Sequence, residues 1–167
     1  MTEHPYAVPL PRWLMHCCRA MALAGGGVLL AVMAMVCFSV ARRALTGAPV
    51  TGDFELVEAG TAIAVFCFLP WCQATAGNVL VDFVTARLPD RATHLLDAAG
   101  DALWLGASAL IGWRLWLGAG DFLAYSEQSM VLRLPLWWGF TVILPAMALL
   151  CLTCLFTMTA HLRKAAA

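Results

Sequence analysis

The chain has 167 residues, of which 62% are hydrophobic and only 12% charged, and its mean hydropathy is +0.82. One soluble domain of that length cannot hide so much apolar surface in its core, so lipid must take the remainder. Ten basic and ten acidic residues cancel, and no stripe of Lys or Arg is present to neutralise a phosphate backbone, which argues against nucleic acid as a partner.

A hydrocarbon layer of ~30 Å takes ~20 helical residues per crossing, so a chain of this length can supply four spans with little left for loops. The first covers about residues 20–41, with Arg12 and Arg19 before it and Arg42 and Arg43 after it. Its apolar core of ~20 residues exceeds the ~7–15 of a cleavable signal sequence, so it reads as a retained helix. Ala20, Ala24, Gly27, Ala31 and Ala34 recur at alternating spacings of four and three. That stripe of small side chains lets another helix approach closely.

A short connection with Gly47, Pro49 and Gly52 leads to the second span, about 56–76, which opens with Glu55 and Glu58 and contains Pro70. Carboxylates favour a helix N-terminus and arginines a C-terminus, so the macrodipole alone accounts for both groups, and the short hairpin brings them near one another. Residues 78–89 then read NVLVDFVTARLP. The segment is too short and polar-edged to span, and is expected to lie as an amphipathic helix at the interface, with a strand as the alternative that its β-branched residues leave open.

The third span, about 95–117, has Asp97 and Asp101 at one end and Arg114 at the other. Arg114 can snorkel to the headgroups, the level that suits Trp113 and Trp116 as membrane anchors. Asp97, Asp101, Trp104 and Ser108 share a helical stripe that should turn toward protein, with Arg87 or Arg91 as the expected ionic partner. A polar connection from Gly118 to Arg133 includes Asp121 and Glu127. The fourth span, about 135–160, starts with the interfacial pair Trp137 and Trp138, carries Pro145, and ends before His161, Arg163 and Lys164. The expected fold is therefore an all-α integral membrane protein, one domain over 1–167, with four transmembrane helices and a short interfacial helix between the second and third. More Lys and Arg fall on the side of the two termini, which puts both termini in the cytoplasm.

These spans carry no ionic group near mid-membrane, where a transporter site for a charged solute would need one. The interior polar residues Ser39, Thr61, Ser108, Thr141 and Thr153 suit ordinary helix packing. The four His residues fall near helix ends or in arms, as solvated histidines do. No catalytic, cofactor-binding, metal or substrate-binding residue is assigned. Of the seven cysteines, Cys151 and Cys154 form a Cys-x-x-Cys pair. Inside an apolar span nothing there stabilises a thiolate, and packing is the simpler use.

The order of motifs is more informative than any one of them. Arg42-Arg43, Gly47 to Pro49, GDFELVE at Gly52 to Glu58, FLPWCQ at Phe68 to Gln73, GNVLVDF at Gly77 to Phe83 and MVLRLPLWWGF at Met130 to Phe140 follow one another through most of residues 20–160. In this order the chain resembles the small membrane subunit, DctQ type, of tripartite ATP-independent periplasmic (TRAP) transporters. The resemblance implies a bacterial inner-membrane complex with a large permease subunit of DctM type, fed by a periplasmic solute-binding protein of DctP type. It also implies sodium-coupled uptake of an organic acid such as a C4-dicarboxylate.

Within that reading, the stripe of the first span or the Asp97/Asp101 stripe packs on the large subunit. The residues of the connections and their flanks, Arg42, Arg43, Glu55, Glu58, Glu127 and Arg133, are candidates for docking. From a different class, a four-span thiol oxidoreductase acting on quinone through Cys151 and Cys154 is the alternative, although the two connections on the predicted periplasmic side lack Cys.

Overall fold

The computed structural model describes residues 10–75 and 90–166. Four helices account for most of them: α1 (Arg12–Thr46), α2 (Asp53–Ala74), α3 (Asp90–Tyr125) and α4 (Trp137–Ala166). The expected interfacial segment, 78–89, lies outside the described residues. Among the described residues three stretches are long and apolar enough to cross a membrane, Arg12–Thr46, Asp53–Ala74 and Trp137–Arg163.

Backbone chemistry sets the helix ends. At the start of α1, Pro11 fits because it has no N–H to leave unsatisfied, and its carbonyl accepts from Leu14 and Met15 at 3.0 and 3.2 Å. Gly47 closes α1 in the left-handed conformation (φ 76°), donating its N–H to the Arg43 carbonyl. Asp53 and Glu55 occupy the first turn of α2, where the macrodipole favours negative charge. The helical path of α2 passes through a buried Pro70, and that of α4 through Pro145.

Two helices outrun the apolar stretches read from sequence. At 35 residues α1 is about 52 Å long, and at 36 residues α3 is about 54 Å, well beyond a hydrocarbon layer. Residues 118–125, expected to be connection, are helical, so only 126–136 join α3 to α4. Their polar groups do not stop the helix because its hydrogen bonds are internal.

The chain runs up and down as two antiparallel hairpins, α1 with α2 and α3 with α4, joined by α2 packing on α4. α2 and α4 thus stand in the middle and α1 and α3 toward the edges. One apolar cluster is built from Ile143, Met147, Leu150 and Cys154 of α4, with Ile63, Phe66 and Leu69 of α2 and Leu105 and Leu115 of α3 against it. A second joins Leu14 and Cys18 of α1 to Ala74 of α2 and to Leu149 and Leu152 of α4.

The face that α1 turns inward is not the stripe of small residues. Leu14, Cys18, Gly25 and Ser39 are buried and Met21, Val28, Val32 and Met35 half-buried, whereas Ala20, Ala24, Gly27, Ala31 and Ala34 are all exposed. Close approach is supplied by other glycines. A Cβ on Gly25 would meet Cys67 Cβ at 2.7 Å, and one on Gly60 would run into Val32 Cγ2.

Candidate assembly and docking surfaces

At the end of the bundle that holds the two connections, side chains of α1 and α2 tie the hairpin shut. Ser39 Oγ donates to Asp53 Oδ2 at 2.6 Å and accepts the Val50 N–H at 3.2 Å. Arg42 reaches the Pro49 carbonyl at 3.5 Å. Among the described residues neither Arg42 nor Arg43 forms an ion pair with Glu55 or Glu58. Both arginines and Glu58 stay exposed.

Glu55 does more than cap its helix. Its Oε1 accepts the Val131 N–H at 2.8 Å and its Oε2 the Leu132 N–H at 3.0 Å. The receiving segment is a tight reversal. Gln128 and Pro135 form an isolated antiparallel bridge, Ser129 N–H donates to the Leu134 carbonyl at 2.9 Å, and Ser126 and Arg133 take left-handed φ values of 50° and 52°. Leu132 then lies against Gly52, itself left-handed (φ 81°), where a Cβ would come within 2.7 Å of Leu132 Cδ1. The outward residues of this end, Phe54, Met130, Val131, Glu127 and Arg133, are exposed.

At the opposite end, polar side chains from three helices meet. Gln73 of α2, only 4% exposed, donates Nε2 to Asp101 Oδ1 of α3 at 2.8 Å and to Thr157 Oγ1 of α4 at 3.2 Å. Asp97 Oδ2 lies 3.8 Å from His161 Nδ1. Asp97 and Asp101 therefore turn toward protein as their stripe suggests, but toward this chain's own α2 and α4. Arg87 lies outside the described residues, as does the side chain of Arg91, so the ionic pairing expected with them is not on view. His161, read from sequence as solvated, is 8% exposed. It follows Cys154 and Thr157 at spacings of three and four along the buried face of α4, a helical signal that its basic neighbours Arg163 and Lys164 obscured.

Trp113, Trp116 and Trp138 are exposed, and Trp137 is half-buried against Trp138, their rings 6.1 Å apart and nearly perpendicular. Cys154 is fully buried, and Cys151 Sγ lies 3.6 Å from Ser108 Oγ across the α3–α4 contact. Both are free thiols. Among the described residues no group of three or more His, Cys, Asp or Glu side chains is placed to hold a metal ion.

What these surfaces offer is contact: an exposed small-residue face on α1, an exposed bulky face on α3, and a tied cap at one end. No curated protein and no solved structure matches the chain. The family model for tripartite ATP-independent periplasmic transporters, DctQ component, matches residues 32–164, a stretch that takes in the last part of α1, all of α2, the Glu55 cap and the Gln73 cluster. The chain thus belongs to the DctQ family, the small membrane subunit of TRAP transporters.

Proposed function

We propose that this chain is the stationary companion of a DctM-type large permease subunit in a bacterial inner membrane. It anchors and enlarges the fixed part of the transporter while the partner carries an organic acid, such as a C4-dicarboxylate, together with sodium. A DctP-type periplasmic protein delivers the solute. In this reading α3 also crosses the membrane, as the third of four spans, its charged ends reaching the headgroups. The termini face the cytoplasm, residues 78–89 lie at the interface, and both connections face the periplasm, where they form part of the docking surface.

The observation that carries the proposal is how the chain uses its polar groups. Asp97, Asp101, Gln73 and His161 are engaged between its own helices, while the stripe Ala20, Ala24, Gly27, Ala31 and Ala34 is left exposed on α1, flanked by exposed Leu23, Leu30, Met33 and Phe38. Small residues let a neighbouring helix backbone come close in lipid, where packing replaces the hydrophobic drive. The bulky outer face of α3, with Leu103, Leu110, Trp113 and Trp116 exposed, suits lipid and the interfacial belt. Of the two partner faces weighed from sequence, this favours α1.

Co-purification of the large subunit tests the assignment. Ala31→Trp should abolish co-purification and solute uptake, and Leu110→Trp should leave both intact. Equal effects of the two substitutions, or transport by this chain alone in liposomes, would overturn it.

A further inference from the structure

We infer that Glu55 is a positioning residue: its carboxylate fastens the second connection onto the start of α2, so that both connections present one docking face. The inference rests on the reading of this end as the docking surface for the binding protein. Within that reading it changes what the charge does. A carboxylate that already accepts two backbone N–H groups, at 2.8 and 3.0 Å, is turned inward to its own chain.

Three features make this attachment decisive for the shape of the cap. Residues 126–136 have an isolated bridge and two backbone hydrogen bonds of their own, Ser129 N–H to the Leu134 carbonyl and Leu136 N–H to the Glu127 carbonyl, and two non-glycine residues, Ser126 and Arg133, hold left-handed conformations that persist only where the surroundings enforce them. Glu55 supplies that enforcement from 76 residues away in sequence. The Leu132 side chain can lie over Gly52 only because that position has no Cβ. The attachment leaves Met130 at the apex, 97% exposed, beside Val131, which is also exposed, and gives the cap an apolar tip flanked by Glu127 and Arg133. Without it, the reversal would keep its own Ser129–Leu134 and Leu136–Glu127 bonds but lose the two hydrogen bonds that fix Met130 and its neighbours to the start of α2.

Glu55→Gln keeps the side-chain shape but offers one acceptor oxygen where two donors converge, its amide NH2 facing the other N–H. In the purified complex with the large subunit, hydrogen exchange at the Val131 and Leu132 amides should quicken on the order of tenfold or more, with helical amides unchanged. In proteoliposomes supplied with the cognate binding protein, the half-saturating concentration of that protein should rise severalfold while the maximal uptake rate holds. Met130→Asp, at the apex and outside the attachment, should raise the half-saturating concentration without quickening those amides.

Unchanged exchange in Glu55→Gln would show that the carboxylate does not hold the loop. Faster exchange with unchanged half-saturation would show that the loop's position does not matter to docking. Either result overturns the inference while leaving the docking reading to Met130→Asp. If Met130→Asp also leaves half-saturation unchanged, the docking reading itself fails.

Discussion

The closest approach of α1 and α2 turns on the missing side chain of Gly25, and substitution there has a sign that can be worked out. In Gly25→Ala the new Cβ would sit 2.7 Å from Cys67 Cβ and 3.2 Å from the Ala64 carbonyl oxygen. Carbon atoms in contact prefer ~3.5–4.0 Å. Both opposing atoms are fixed to the backbone of α2, so no rotamer change relieves the contact. The helices must part locally by about 1 Å, which in a packed core costs ~1–3 kcal/mol.

Gly27→Ala is the matched control, since nothing lies within 4 Å of its Cβ position. The propensity gain of Ala over Gly, about 1 kcal/mol, applies to both variants and cancels in their difference. Reversible unfolding of the purified chain by SDS in mixed micelles, followed by circular dichroism, should therefore find Gly25→Ala less stable than Gly27→Ala by ~1–3 kcal/mol. Equal stabilities would refute the assigned face of α1 and return the small-residue stripe to the interior.

The same assay examines the polar ties. Ser39→Ala removes the donor to Asp53 and the acceptor for Val50 N–H and should cost ~1–3 kcal/mol; a neutral result would mean water replaces the serine. Gln73→Leu takes away the amide that serves both Asp101 and Thr157, for a loss of ~1.5–3 kcal/mol, and a double-mutant cycle with Asp101→Leu should return a coupling of ~1–3 kcal/mol. Additive effects would contradict the contact. Maleimide labelling in micelles should modify the exposed Cys17 and Cys72 and spare the buried Cys18, Cys67 and Cys154. Ready modification of Cys154 would instead favour the thiol-oxidoreductase reading.

Helix existence was legible from the apolar runs, because uncharged stretches of this length have few other uses. Helix ends were not, since Asp121 inside α3 and His161 inside α4 sit where hydropathy falls while backbone hydrogen bonding continues. The inward face of α1 was hidden for a different reason. Leu14, Cys18, Met21, Gly25, Val28, Val32, Met35 and Ser39 follow the same alternation of three and four as the small stripe, and in lipid both faces are apolar, so period alone does not choose between them. The role of Glu55 had no residue-type signal at all. Its partners are two backbone N–H groups, and Val131 and Leu132 would offer the same donors whatever their side chains.

The ties at the two ends bear on how such a body can behave in a transporter. Ser39 with Asp53 joins α1 to α2, and Glu55 joins α2 to the connection between α3 and α4. At the other end Gln73 joins α2 to both α3 and α4, His161 and Asp97 join α4 to α3, and Cys18 meets Thr153 of α4 at 3.6 Å. Every helix is thus held to a neighbour by polar contacts as well as by packing, and breaking a buried one, such as that of Gln73 with Thr157, leaves a polar group without its partner. Sliding one helix past another would break several contacts together, so small displacements at one edge are transmitted across the row. Alternating access needs one body that moves and one that does not. Fastened at both ends, these helices meet the mechanical requirement of the second.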